Sequence, residues 1–243
     1  MARREITLGR LEQRVKELTE GFTSYVEAFN SKRLFTGPSL YFHQQTIARR
    51  HAYASAVQAI ADNAFMESLY ATLTAWGMHR MGPGETKLVD FVDFKDTIAA
   101  QTERIRRLEV KKLCAVRAEQ IQELTQALWE IIVNLEIGIS ETKLVVGSKA
   151  LHHILPDLIP PVDRQYTLKF FYGNKTLKHN GEVEFREMFP HFHRLAVDRK
   201  VEMKQLLANG IDSDVVYGMN TSLTKIIDNA IIGYVIKRLN AAS

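Results

Sequence analysis

Residues 144–168, LVVGSKALHHILPDLIPPVDRQYTL, constrain the fold more than any other stretch, because turn formers and apolar periodicity alternate in them at short, fixed intervals. Leu144, Val145 and Val146 close one apolar segment, Gly147-Ser148 reads as a turn, and an apolar-periodic run resumes from Ala150 to Leu155. The pattern predicts helix, hairpin, helix. Gly147 can adopt backbone angles closed to other residues. Consecutive amides in such a turn, beside a helix N-terminus, form a concavity suited to a phosphate, so Gly147 and Ser148 are candidate phosphate contacts, with Lys149 at the mouth of the second helix. Pro156 stops that helix, Pro160 and Pro161 hold the chain extended, and Asp163 stands at the N-cap of a helix running through Tyr166, Leu168 and Phe170. An Asp held there is either a cap or a reagent.

The rest of the chain reads as helical. Leu11, Val15, Leu18, Phe22, Val26 and Phe29 recur at spacings of three and four, which describes one amphipathic helix over 7–30. Further helices are expected at about 44–76, 94–107, 116–137, 186–208 and 221–239, and strand-like runs are short, so the class is all-α. The 243 residues suffice for one substantial core, and 46% hydrophobic with 25% charged residues is ordinary for a soluble globular protein. Neither a flexible linker nor an internal repeat interrupts it, so residues 1–243 are read as one helical domain. The 32 basic against 28 acidic residues leave a net charge of +4, which permits nucleic-acid binding without demanding it. Cys114 is the sole cysteine, so neither an internal disulfide nor a four-cysteine metal site can form. No apolar run is long enough to span a bilayer, and the start, MARREITLGRLEQRVKEL, is charged where a signal peptide needs an apolar centre. A cytoplasmic protein without a membrane partner is expected.

With Val146, Gly147 and Lys149 followed by Pro160, Val162 and Asp163, the 144–168 stretch resembles the helix-hairpin-helix superfamily of base-excision DNA glycosylases, the endonuclease III-like proteins. Those carry a Leu-Pro-Gly-Val-Gly-x-Lys-x-Ala hairpin and then a Pro-x-x-Val-Asp-x-x-Val segment. The match covers about a tenth of the chain. It departs from the pattern where Val145 replaces the first hairpin glycine, where Gln165 stands for a frequent His, and in a shorter Lys-to-Asp interval. The resemblance implies two helical lobes around a cleft, with the hairpin and catalytic segment at about 140–170. It implies a monomer that acts on double-stranded DNA, flips a damaged or modified base, and hydrolyses its N-glycosidic bond to leave an abasic site. Asp163 would stabilise the cationic sugar and direct the nucleophile, and Lys149 would assist it or form a Schiff base that leads on to strand cleavage. No cofactor is implied: the single cysteine rules out the family's iron-sulfur cluster, leaving at most a monovalent cation at the hairpin. Repair and the excision of hypermodified bases of foreign DNA both remain open, as does the base itself.

Other clusters are candidates for shaping such a cleft. Tyr41, Phe42 and His43 follow a Gly37-Pro38 turn and offer stacking and hydrogen-bonding groups, though a helix-entry turn with core aromatics would look the same. Trp76 and His79 lie beside Arg80 and several glycines, where Arg80 is a candidate phosphate contact and the others are either base-contacting or core. Asn220 or Thr221 would cap the last long helix, with Lys225 a further phosphate contact. His152 and His153 point about 100° apart on a helix and read as structural rather than as metal ligands. Arg104, Arg106, Arg107, Lys111 and Lys112 form either a solvated face or part of the DNA path. The rival readings are a non-enzymatic helix-hairpin-helix DNA-binding module and a helical interaction protein that touches no nucleic acid.

Overall fold

Cap residues and glycines, more than hydrophobic periodicity, decide where the helices of this chain begin and end. The structure, a computed structural model, describes residues 8–79, 87–139, 143–177, 180–212 and 218–240. The N-terminal amphipathic run forms α1 (Leu8–Glu20) and α2 (Phe22–Lys32), so the single helix expected over 7–30 is interrupted at Gly21. α3 (Pro38–Ala52) starts earlier than the expected 44, because the fixed ring of Pro38 suits a first helical turn. α4 (Ala56–Ala61) is capped by Ser55, whose Oγ accepts from the Gln58 amide at 3.1 Å. Asp62 caps α5 (Asn63–Leu73), its Oδ2 accepting from the Phe65 amide at 2.9 Å. These two caps divide what periodicity alone reads as one helix over 44–76. A π-helical turn, Thr74–Met78, ends the stretch at Gly77, whose φ of 78° a side chain would disfavour.

The chain continues through α6 (Phe91–Ala99), α7 (Thr102–Arg106) and α8 (Ile121–Asn134) to α9 (Lys143–Ile154) and α10 (Thr167–Tyr172). α11 (Glu182–Asp198) and α12 (Lys200–Asp212) meet at Arg199, dividing the helix expected over 186–208. α13 (Leu223–Tyr234) is capped by Ser222, whose Oγ accepts from the Lys225 amide at 3.1 Å, in place of the expected Asn220 or Thr221. The described residues contain no strand beyond one isolated antiparallel bridge, Leu88 to Gly138, so the class is all-α. None of the described helices is long and apolar enough to cross a membrane.

The expected turn at Gly147-Ser148 is absent: α9 runs unbroken through both residues, and both are buried. The missing side chain of Gly147 serves helix packing instead. A Cβ there would lie 3.0 Å from Ile132 Cγ2 and 3.4 Å from the Ile132 carbonyl oxygen, so α8 and α9 approach each other closely at this point. Ser148 Oγ donates to the Val145 carbonyl at 3.2 Å and accepts from the Val162 amide at 3.0 Å. The helical pair is therefore α8 and α9 joined by residues 135–142, and Lys149 projects from the interior of α9 rather than from its mouth. With its amides inside a buried helix, the Gly147-Ser148 pair cannot cradle a phosphate.

Two helices have no solvent-facing side: every residue of α9 from Leu144 onward is buried, and so is every residue of α13. The other helices wrap them. α13 packs on α2 so tightly that a Cβ on Gly233 would lie 1.9 Å from the Tyr25 carbonyl oxygen. α1 joins the same contact, where Tyr234 Oη donates to Glu17 Oε2 at 2.8 Å. The main core is one continuous cluster from Val15 to Val235. A small second cluster, Phe29, Leu40, Met219 and Ile232, is flanked by Phe35, Trp76 and Tyr166.

The two glycines give opposite expectations. Gly233→Ala should destabilise by about 3 kcal/mol or more, because the new methyl group meets backbone that has no rotamer to change. Gly147→Ala should stay within about 1 kcal/mol of wild type, since better helix propensity offsets a shift of the Ile132 side chain. Urea unfolding of both variants checks this. A large loss at Gly147 would point to a special turn conformation there rather than to a helix.

Candidate active site

Asp163 reaches the interior because the proline-rich segment before it is tied to both buried helices. His152 Nδ1 donates to the Ile159 carbonyl at 2.9 Å, Thr224 Oγ1 lies 2.5 Å from the Pro156 carbonyl oxygen, and the Val162 amide is held by Ser148. The chain thus enters the turn before α10 in one place. There Asp163 Oδ1 accepts from the amides of Gln165 at 2.6 Å and Tyr166 at 3.1 Å, and the Asp163 amide donates to Thr167 Oγ1 at 3.0 Å. Its second oxygen, Oδ2, lies 3.3 Å from Lys149 Nζ. The side chain of Lys149 is 6% exposed and that of Asp163 31%, so the pair runs from the interior to a rim.

The pair lines a cavity of about 230 Å3, walled by Phe35, Trp76 and Tyr166 and bordered by Leu34 and Gln165. A second ion pair lines the same cavity. Lys225 Nζ donates to Asp228 Oδ2 at 2.7 Å and to Asn229 Oδ1 at 2.5 Å, and the Lys225 and Asp228 side chains are only 1% and 6% exposed. Asn229 presents its oxygen to Lys225 because its Nδ2 is committed to the Met219 carbonyl at 3.0 Å and Asn220 Oδ1 at 2.9 Å. Lys149 Nζ and Lys225 Nζ lie 5.8 Å and 5.9 Å from the Trp76 ring centre, and Lys225 also faces Phe29 and Phe35. Aromatic faces thus replace part of the hydration these cations give up. Burial pushes the Lys225 ammonium down and the Asp228 carboxyl up, each partly offset by the other.

Behind Trp76 lies a chain of neutral histidines. His153 Nδ1 is 2.7 Å from the Lys149 carbonyl oxygen, a group that can only accept, so Nδ1 carries the proton and Nε2 is an acceptor. His43 Nδ1, 2.9 Å away, must then donate to it, and Thr221 Oγ1 donates to His43 Nε2 at 2.7 Å. Every tautomer in the chain is set by the one backbone carbonyl at its end. Burial first, and neighbouring histidines and lysines after it, hold His43 and His152 well below the usual range, and burial brings His153 down to about 4.

The structure thus brings together Lys149, Asp163, Trp76 and Lys225 among the residues singled out in the sequence, and places the others elsewhere. Lys225, expected as a surface phosphate contact, is enclosed by Asp228, Asn229 and three aromatic rings, and so cannot reach a DNA backbone. His43 is buried one layer behind the cavity, where it contacts Trp76 at 5.1 Å. Tyr41 is 58% exposed and packs on Phe42, and neither lines the cavity, because α3 turns that face outward. His79 lies 6.3 Å from the Tyr70 ring and does not line the cavity. Arg80 lies outside the described residues. The sequence reading missed Asp228 and Asn229. Their signal was legible: the helix LTKIIDNAIIGY is mostly apolar, yet sets Lys and Asp three residues apart on one face. Exposed basic residues stand around the rim instead, with Arg33 beside Leu34, Arg164 beside Gln165, and Lys175 donating to the Gln165 side chain.

Because burial keeps His153 neutral in the folded chain down to about pH 4, while the unfolded chain protonates near 6.5, the unfolded form binds more protons between those values. Its contribution to stability is full above that range and is lost as pH falls through it. Between pH 7.5 and 5.0 the His153 share of the loss should be about 2 kcal/mol. Urea unfolding of wild type and His153→Gln at both pH values isolates it: the variant should lose less on acidification by that amount, and an equal loss would contradict a neutral buried ring.

Comparison with family models, with curated proteins and with solved structures finds no match for this chain.

Proposed function

We propose that this chain is a DNA glycosylase that takes a flipped base into the Trp76 cavity and breaks its N-glycosidic bond at the rim. The observation that carries the reading is the Lys149–Asp163 pair, 3.3 Å apart, at a cavity of about 230 Å3 with aromatic walls. Drug-sized ligands occupy cavities from about 300 Å3 upward, so the space suits something smaller, and a single base is flat enough to stack on an indole face. A part-exposed carboxylate above a buried lysine places negative charge where the sugar of an extruded nucleotide would lie.

In the proposed reaction the bond between the base and the anomeric carbon breaks, and its electron pair leaves on the base nitrogen. The cationic sugar that develops is stabilised by Asp163, held in place through Oδ1. Water then adds to the anomeric carbon and its proton passes to Oδ2, leaving an abasic site. Lys149 has two roles open to it. As an ammonium it holds Oδ2 in position; after yielding its proton to Oδ2 it can itself add to the anomeric carbon and lead to a Schiff base. Phosphate contacts fall in this reading to Arg33, Arg164 and Lys175 at the rim, and DNA binding should weaken as salt rises.

Asp163→Asn should lower the release of abasic sites from DNA by about 100-fold or more in protein that still folds, as circular dichroism would check: an amide oxygen still accepts from the Gln165 and Tyr166 amides, while the lost charge leaves Lys149 unpaired and lowers stability. Alkaline strand cleavage on a panel of damaged and hypermodified duplexes measures it. Abasic sites in equal yield from the variant would remove Asp163 from the chemistry, and none from the wild type, with binding retained, would favour a non-enzymatic module. Borohydride should trap a covalent DNA adduct with wild type and not with Lys149→Gln if the enzyme is also a lyase. Failure to trap with wild type assigns Lys149 to holding Asp163 alone.

A further inference from the structure

The deeper ion pair has hydrogen-bonding capacity that the protein leaves open. Asp228 Oδ2 is bound by Lys225, but Oδ1 is buried and has no partner among the described residues. The Lys225 ammonium has three N–H groups; Asp228 and Asn229 take two, and the third faces the rings of Phe29, Phe35 and Trp76, which offer no lone pair. An acceptor and a donor therefore stand side by side in the wall of the Trp76 cavity, the unpartnered oxygen just beneath its surface, where a small shift of the Asp228 side chain brings it into contact with a ligand. Buried polar groups without partners are uncommon, and in a cavity such a pair marks where a ligand completes the bonding. The Lys149–Asp163 pair offers no equivalent, because both Asp163 oxygens are already engaged.

We propose that Lys225 and Asp228 read the base, and that they select bases with a lactam edge, in which a ring N–H adjoins a carbonyl. Asp228 Oδ1 accepts the ring N–H, and the third N–H of Lys225 donates to the carbonyl oxygen. Guanine-, hypoxanthine- and uracil-type bases present that edge. Adenine- and cytosine-type bases present a bare ring nitrogen beside an amino group, which would set acceptor against acceptor and donor against donor. Asn229 keeps the polarity of the pair fixed, since its own amide is anchored on Met219 and Asn220. The inference rests on reading this cavity as a base pocket, and it assigns the class of base that enters it.

Two small probes test it without DNA: 9-methylhypoxanthine and 9-methyladenine, nearly identical in shape, blocked at the glycosidic nitrogen, and opposite in this edge. Equilibrium binding to the 243-residue chain should favour 9-methylhypoxanthine by about tenfold or more, the scale of a mismatched charged hydrogen bond. In Asp228→Asn the preference should fall to within about threefold, because the amide must turn its oxygen toward Lys225 and its NH2 toward the base. If that variant does not fold, by circular dichroism and thermal melting, the wild-type comparison decides alone. Equal affinity, a preference for 9-methyladenine, or no saturable binding of either probe overturns the proposal. Lactam preference in a protein that releases no base from any DNA would keep the proposal and discard the glycosylase reading. Base release from DNA without lactam preference would do the reverse.

Discussion

Charge inside the protein is the constraint on which the rest of this structure depends. α9 and α13 are buried on all sides, yet they carry Lys149, Lys225 and Asp228 into the interior. Removing such groups from water is expensive, and pairing them seldom returns more than it costs. Each lysine is therefore met by a carboxylate, and the wall around them is made of aromatic faces that favour cations. The proline segment that delivers Asp163 to Lys149 is bound to α9 through Ser148 and His152, and to α13 through Thr224. Without that delivery, the Lys149 charge would be uncompensated in the core.

The histidine chain follows from the same constraint. The two imidazoles of the chain, His43 and His153, next to two buried cations can persist only in the neutral form, and each then needs one donor and one acceptor partner. The carbonyl of Lys149 supplies the acceptor at one end and the Thr221 hydroxyl the donor at the other. His43 and His153 both pack on Trp76, whose Nε1 donates to the Ser39 carbonyl at 3.0 Å, so the cavity wall is held from behind by groups that never reach the cavity. The backbone at Lys149 is thereby anchored by the same network that positions Trp76.

How much of this was legible in the sequence differs by kind of residue. Helical class followed from spacings of three and four, which the buried residues of α1, α8 and α11 keep, but boundaries did not, because Ser55, Asp62 and Ser222 cap locally whatever the apolar period suggests. Gly147 misled for a physical reason. A glycine allows a turn, yet it equally allows two helices to touch, and only the position of Ile132, brought in from α8, decides between them. The Lys149–Asp163 pairing was recoverable because both residues lie in one short segment. The Lys225–Asp228 pair shows in the sequence as charge on an apolar helix, but its place beside Lys149 depends on how α13 packs against the rest, which no local pattern carries.

Asp163 is not the cap expected of it, because the N-cap of α10 is Tyr166; it braces the turn before that helix, and its two oxygens have different surroundings. Oδ1 faces two backbone amides and holds the turn into α10; Oδ2 faces Lys149 and lies where the side chain is part-exposed. The turn immobilises the carboxylate, which is what electrostatic stabilisation of a transient cation requires: a group already oriented, with no reorganisation when the charge appears. On the proposed reading, a base that fills the cavity also excludes water from the lysine side of Oδ2, and the ion pair then acts at lower dielectric than in the empty site. The sugar cation would compete with Lys149 for that oxygen, so the pairing lysine sets how much negative charge the sugar meets. On that reading a residue that braces a turn carries the chemistry because the fold already needed it to be rigid.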